Sequence, residues 1–154
     1  MKNQKLLLKK MSGVSLMLLL FLFISNCASG DKIFSTDVWN ITYDDQQGGI
    51  ALTYKSKNIC NGMYASYQWE GKEIKTSDYA RHKISTGKVS DSFGKGHIYK
   101  VEYTDKELPK LTQYFYLYPG KEYILTDFTV EAKEEIRSDR MAPVNVDSIS
   151  GFLQ

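Results

Sequence analysis

Carboxylates on strand-like segments are the residues of this chain whose chemistry would suit hydrolysis. Asp127 and Glu131 would serve as a glycosidase pair if the fold placed their carboxylates on either side of a sugar bond. Nothing in their spacing marks them as a pair, and charged residues mostly face solvent. Gly94-Lys95-Gly96 lacks the spacing of a phosphate-binding loop, and the chain has no GxSxG segment. We therefore expect no catalytic residue in this chain.

Histidine and cysteine, the usual ligands of transition metals, are sparse and scattered. His82 and His97 each stand alone, with no second ligand at metal-site spacing. We interpret Cys60 as a small buried side chain rather than as a nucleophile. The sequence thus predicts neither a metal site nor a cofactor.

Tyrosines form the most suggestive pattern. Tyr114, Tyr116 and Tyr118 alternate along one stretch, and Tyr123 follows a short turn. Residues two apart share one face of a strand, so these rings would form a row. Such a row would suit stacking on sugar rings, because tyrosine combines apolar area with a polar tip. We favour the simpler interpretation that the row packs against a second sheet or a neighbouring domain, since aromatic residues dominate cores and interfaces.

The elements that position this row are predicted to be strands. The clearest hairpin joins residues 111–118 to 122–132 through Pro119-Gly120. On its first strand, one face is predicted to carry the residues Leu111, Gln113, Phe115 and Leu117. The opposite face carries the tyrosines, as expected for an antiparallel sheet that is packed on one side.

Weaker signals divide the rest of the chain. Residues 39–43 and 50–54 alternate around a Gly-Gly turn, and Glu70-Gly71 predicts another hairpin. Residues 55–62, with Asn61-Gly62, are predicted as a connector, and residues 92–96 as a loop. No helical periodicity longer than a turn or two occurs after residue 36. The predicted fold is therefore all-β, an antiparallel β-sandwich (a partial supersandwich).

The first 26 residues have the composition of a secretory signal peptide. A lysine-rich start precedes an apolar run over residues 14–24, far shorter than the roughly 20 residues that span a bilayer. Cys27 lies where a lipoprotein signal peptidase cuts, which predicts a lipid anchor on that residue. Residues 27–36 would then be a tether and residues 37–154 the β-sandwich domain. Secretion without acylation, which would permit a Cys27–Cys60 disulfide, and an uncleaved anchor are the alternatives.

Loss of the signal peptide reverses the sign of the net charge. The chain has 20 basic and 18 acidic residues, and four of the lysines precede Cys27, which leaves 16 against 18. Lysines and acids alternate along the remainder, so no basic patch for nucleic acid is expected. The expected partners are a membrane, through the lipid anchor, and an oligosaccharide. The expected location is the outer membrane or periplasm.

Four segments resemble the N-terminal domain of α-galactosidase and raffinose-synthase-like glycoside hydrolases (family 36 and relatives) of the Bacteroidota type. They are Phe93 to Val101, Leu111 to Tyr118, Tyr123 to Val130 and Ser138 to Val144, within residues 92–147. The resemblance implies a β-supersandwich that precedes a (β/α)₈ barrel carrying two catalytic aspartates. No barrel segment lies in these residues, so the resemblance assigns them no catalytic role and implies a truncated product that is inactive alone.

Three functions follow as hypotheses. The first is the non-catalytic sandwich of a lipidated α-galactosidase-like glycosidase, with a catalytic barrel as its partner domain. The second is a free-standing surface lipoprotein that binds glycan or a protein through its tyrosine face. The third is a structural envelope lipoprotein without a ligand.

Overall fold

The computed structural model describes residues 32–44 and 48–150, which form two antiparallel sheets packed against each other. The predicted all-β sandwich is confirmed. Over the described residues the elements are β1 (Lys32–Ser35), β2 (Trp39–Tyr43), β3 (Ile50–Tyr54), β4 (Lys57–Trp69), β5 (Lys72–Lys75), a 3₁₀ turn (Thr76–Asp78), β6 (Arg81–Asp91), β7 (Gly94–Thr104), β8 (Lys110–Leu117), β9 (Ile124–Glu131) and β10 (Met141–Ile149). No helix among these residues is long and apolar enough to cross a membrane.

The first sheet is organised around the long strand β4. Its strand order is β1-β2-β3-β4-β10, and β5 also pairs with β4. The first half of β4 pairs with β3, and its last residues, Ser66 to Trp69, pair with β5. β10 runs along the opposite edge of β4, from Met141 beside Tyr67 to Ile149 beside Cys60. One strand therefore holds three neighbours together.

The second sheet is a meander in the order β6-β7-β8-β9. β6 and β7 pair without interruption from Arg81 beside Thr104 to Asp91 beside Gly94. Only Ser92 and Phe93 connect them, so Gly94 to Gly96, predicted as loop, begin β7 instead. Antiparallel strands joined by such short turns necessarily lie side by side.

Alternation along the strands builds the core. The predicted inner face of β8 is confirmed, because Leu111, Gln113, Phe115 and Leu117 are all buried. The residues that meet them from the first sheet include Ile41, Tyr43, Ile50, Met63, Ala65 and Tyr67. Cys60 is a buried free thiol, as interpreted from the sequence.

The predicted connector at residues 55–62 is wrong. The turn consists of Lys55 and Ser56 alone, both with positive φ (45° and 64°), and β4 starts at Lys57. A turn with two positive φ values matches the twist of a hairpin. Gly62 (φ 63°) lies instead at a register shift within the β3–β4 pair, where the extra residue forms a bulge.

The boundary of the predicted tether also differs. Lys32–Ser35, inside the predicted tether of residues 27–36, pairs with β2 and so belongs to the sheet. This segment joins the fold because β2 offers it an unpaired strand edge. The predicted signal peptide and Cys27 lie outside the described residues.

Candidate functional site

The outer face of the second sheet carries the predicted tyrosines. Because the inner residues of β8 are buried in the core, the alternate residues Tyr114 and Tyr116 point away from the first sheet. Tyr114 pairs with Lys100 on β7 and with Asp127 on β9. Tyr116 pairs in the same way with Ile98 and Leu125. Paired side chains on one face are direct neighbours, so each tyrosine is flanked from both sides.

Five rings form an aromatic patch on this face, namely Phe93, Tyr114, Tyr116, Tyr118 and Tyr123. The rings of Tyr114 and Tyr116 are stacked, with centroids 6.4 Å apart and an interplanar angle of 23°. Tyr118 contacts Phe93 at 6.0 Å and Tyr123 at 6.3 Å. Phe93 is 52% and Tyr123 38% exposed. The two exposed rings therefore lie on either side of Tyr118, at one end of the patch.

Tyr118 differs from the other tyrosines of the patch because it is buried, with 2% of its surface exposed. Its ring lies over Gly96, and its hydroxyl donates a 2.6 Å hydrogen bond to Asp91. Burial, together with this bond, raises the pKa of Tyr118 to about 12. The same bond lowers the pKa of the Asp91 carboxyl. Tyr118 thus anchors the patch to the β6–β7 turn and does not itself offer a free face.

Tyr114 and Tyr116 are partly exposed and lie beside carboxylates. Burial raises the pKa of Tyr116, and the nearby charges of Asp127 and Asp91 raise it further. Asp127 is exposed, and one of its oxygens accepts a hydrogen bond from the Phe128 N–H at 2.7 Å. Tyr114 therefore has a hydrogen-bond acceptor, Asp127, on one side and Lys100 on the other, whereas Tyr116 lies between apolar neighbours.

An ion-pair ladder of Lys100, Glu102, Lys110 and Glu131 continues this face toward the other end of the sheet. Glu102 accepts from Lys110 at 3.0 Å and from Lys100 at 3.2 Å. Lys110 also lies 3.7 Å from Glu131. The two lysines, Lys110 foremost, lower the pKa of the Glu102 carboxyl. The ladder holds these long side chains along the sheet.

An end cleft of about 720 Å³ opens where the ladder ends. Three connections surround it: the β4–β5 turn with Trp69, the β7–β8 loop from Asp105 to Pro109, and the segment from Ala132 to Arg137 that follows β9. Lys110 and Glu131 of the ladder also line it. The cleft and the outer face are therefore continuous.

The structure brings together three of the four predicted tyrosines as accessible rings and buries Tyr118. Sequence reasoning missed Phe93 and Trp69, whose only signal is an aromatic ring beside a turn. Asp127 and Glu131 lie on β9, where Asp127 flanks Tyr114 and Glu131 joins the ladder. His82 packs edge-on against Tyr43 and Tyr103. Among residues 32–44 and 48–150, no group of histidines, cysteines and acids could hold a metal ion.

Comparison with known proteins finds no matching family model, no matching curated protein and no matching solved structure.

Proposed function

We propose that this chain is a non-catalytic β-sandwich module that binds carbohydrate through the aromatic patch. The observation that carries the proposal is the stacked, partly exposed pair Tyr114–Tyr116, in which Tyr114 lies between Lys100 and Asp127. Ring faces pack against the apolar C–H surface of a sugar, and the phenol hydroxyls remain free to hydrogen-bond. A carboxylate and an ammonium at the rim supply an acceptor and donors for sugar hydroxyls.

On the resemblance to family 36 glycosidases, we further propose that this module belongs to an enzyme. In that setting the chain would be the N-terminal sandwich of a lipidated α-galactosidase-like hydrolase, and the sandwich would hold substrate near a catalytic barrel. A free-standing surface lipoprotein with the same binding face is the alternative. Reading the DNA beyond codon 154 separates the two, because only the first expects a barrel with paired aspartates in the same frame.

A second use of the patch is favoured by one observation. Phe93 and Tyr123 expose much of their rings, and exposed apolar surface is typical of contacts between domains or proteins. On this hypothesis the patch would contact the barrel rather than sugar. The isolated chain would then associate with itself or with the barrel and would not bind glycan.

Alanine at Tyr116 tests the glycan proposal. We expect Tyr116→Ala to weaken binding of the mature chain to polysaccharide about tenfold, which corresponds to a loss of roughly 1.4 kcal/mol in the free energy of binding. Affinity electrophoresis with galactomannan, xylan and polygalacturonate would measure it. Tyr64→Ala is the matched control, since Tyr64 lies on β4 of the other sheet, under Lys75. Unretarded migration of the unsubstituted chain in all three gels would refute the proposal.

A lipid anchor at Cys27 completes the proposed function, because it would keep the glycan-binding face at a membrane surface. We expect Cys27→Ser to abolish incorporation of labelled palmitate and to move the protein from the membrane to the soluble fraction of a bacterial host. Cys60→Ser serves as the control, since Cys60 is buried. Equal labelling of the Cys27→Ser variant and the unsubstituted chain would contradict lipidation at this residue.

A further inference from the structure

The alternate residues of β8 form a continuous track from the aromatic patch to the end cleft. Lys110, Thr112, Tyr114 and Tyr116 lie on the same face of the strand. Lys110 and Tyr116 are six positions apart on an antiparallel strand, which is about 20 Å. Lys110 belongs both to the ladder and to the wall of the cleft. A ligand that covers both sites therefore has to be elongated.

In the middle of this track, β8 contributes only a small side chain, that of Thr112. Thr112 sits between the ladder and Tyr114, and its paired neighbours are Glu102 and Thr129. It is 1% exposed, and among the described residues its hydroxyl has no hydrogen-bond partner. A buried polar group without a partner is uncommon, because it costs free energy. The 1% exposure of Thr112 places it beneath the ladder, so a ligand that crosses the middle of the track would contact the lysines and acids of the ladder rather than Thr112.

The end cleft has the composition of a site for a polar ligand with apolar faces. Trp69 gives it an aromatic wall. Its charged side chains have both signs, among them Glu70, Asp105 and Glu131 against Lys106, Lys110 and Arg137. Its volume falls within the range of small-molecule sites, roughly 300–1,000 Å³. Such walls disfavour a lipid tail and suit hydroxyl groups, which both donate and accept hydrogen bonds.

We infer that the end cleft is a second sugar subsite, and that the ligand is a linear glycan whose chain runs from Tyr116 along β8 to Trp69. The inference rests on the proposed glycan binding and adds its ligand class. A short oligosaccharide would occupy the aromatic patch alone. A longer chain would also cross the ladder and place further sugar units against Trp69.

Chain length gives the first test of this inference. The probes are disaccharides and hexasaccharides prepared from galactomannan, xylan and polygalacturonate, titrated into the mature chain by calorimetry. We expect the bound hexasaccharide to have an affinity about tenfold or more above that of its disaccharide. Trp69→Leu, which keeps an apolar side chain in place, should remove this gain and leave disaccharide binding unchanged. Tyr116→Ala should weaken both.

Fluorescence gives a second test, which does not depend on whether the Trp69→Leu variant folds. The chain has two tryptophans, and Trp39 packs on Tyr54 of the first sheet. In Trp39→Phe, where Trp69 is the remaining tryptophan, the hexasaccharide should shift the tryptophan emission and the disaccharide should not. Equal affinities for the two lengths, with unchanged Trp69 emission, would overturn the inference while leaving glycan binding intact. If none of the probes binds, the proposed function itself fails, and this inference with it.

Discussion

Replacement of Gln113 by leucine should lower the free energy of unfolding by about 2–3 kcal/mol, since stranding a buried polar group costs about 1–3 kcal/mol. Gln113 is fully buried between the sheets. Its Oε1 accepts from the Tyr103 hydroxyl at 3.3 Å, and its Nε2 donates to the Pro143 carbonyl at 3.1 Å. Leucine fills the space but leaves the Tyr103 hydroxyl and the Pro143 carbonyl without their hydrogen bonds to residue 113. Urea denaturation followed by circular dichroism would measure the change.

The matched variant is Tyr103→Phe, which removes one partner and leaves the bond from Gln113 to Pro143. We expect its cost to be smaller. The two changes together should cost less than the sum of the single changes, because they break the same hydrogen bond. A Gln113→Leu chain as stable as the unsubstituted one would show that the bridge between β8 and β10 contributes nothing to stability.

Addition of one carbon at Gly96 should destabilise the fold by about 3 kcal/mol, at the upper end of the cost of overpacking. A methyl group there would lie 2.5 Å from the Leu117 carbonyl oxygen and 2.8 Å from Cδ1 of Tyr118. The first of these atoms belongs to the backbone of β8, so Gly96→Ala has to push β7 and β8 apart. It should also displace Tyr118 and so weaken the proposed binding of glycan. Denaturation and affinity electrophoresis of the same variant would test both effects.

Gly87→Ala is the control for this prediction. Its added carbon would approach only the Cγ2 atom of Ile98, at 3.0 Å, and that side chain can move. Alanine is also favoured over glycine within a strand by roughly 0.5–1 kcal/mol. We therefore expect little net change in stability. Similar losses of stability in the two variants would contradict the close packing of Tyr118 against Gly96.

Period-two alternation made the outer and inner faces of β8 predictable from the sequence. In a strand that is buried on one side, every second residue is apolar. The sequence therefore predicted that Phe115 faces the core and that Tyr114 lies on the opposite face. The Pro119-Gly120 and Glu70-Gly71 turns were equally clear, because their residues suit tight turns. What the sequence predicted well is local structure within a hairpin.

Two local features escaped prediction because their residue types are ambiguous. Lys55 and Ser56 adopt positive φ without glycine, and nothing in these residue types signals such a turn. Asn61-Gly62 carries the signal of a turn, but a glycine with positive φ serves equally well in a bulge. The pairing of β4 with β3 and β10 decides between these outcomes, and that pairing is a property of the whole sheet.

The remaining parts of the site depend on contacts between distant residues. Tyr118 follows the same alternation as Tyr116, yet it is buried because Phe93 and Gly96, from the neighbouring hairpin, enclose its ring. Trp69, Leu108 and Ile136 line the same end cleft, although they belong to three connections that are far apart in the chain. Periodicity within a strand contains no information about which distant loops lie together, so the cleft could not be predicted from the sequence.

The position of β10 in the first sheet has a consequence for how the protein folds. β10 follows every other described strand in the chain, yet its partner β4 lies some eighty residues earlier. During synthesis from the N-terminus, one edge of β4 remains unpaired until β10 has been made. Pairings of such long sequence separation fold slowly, and an open strand edge invites association with other chains. The vulnerable species is therefore a nascent chain whose second sheet is complete and whose first sheet is not.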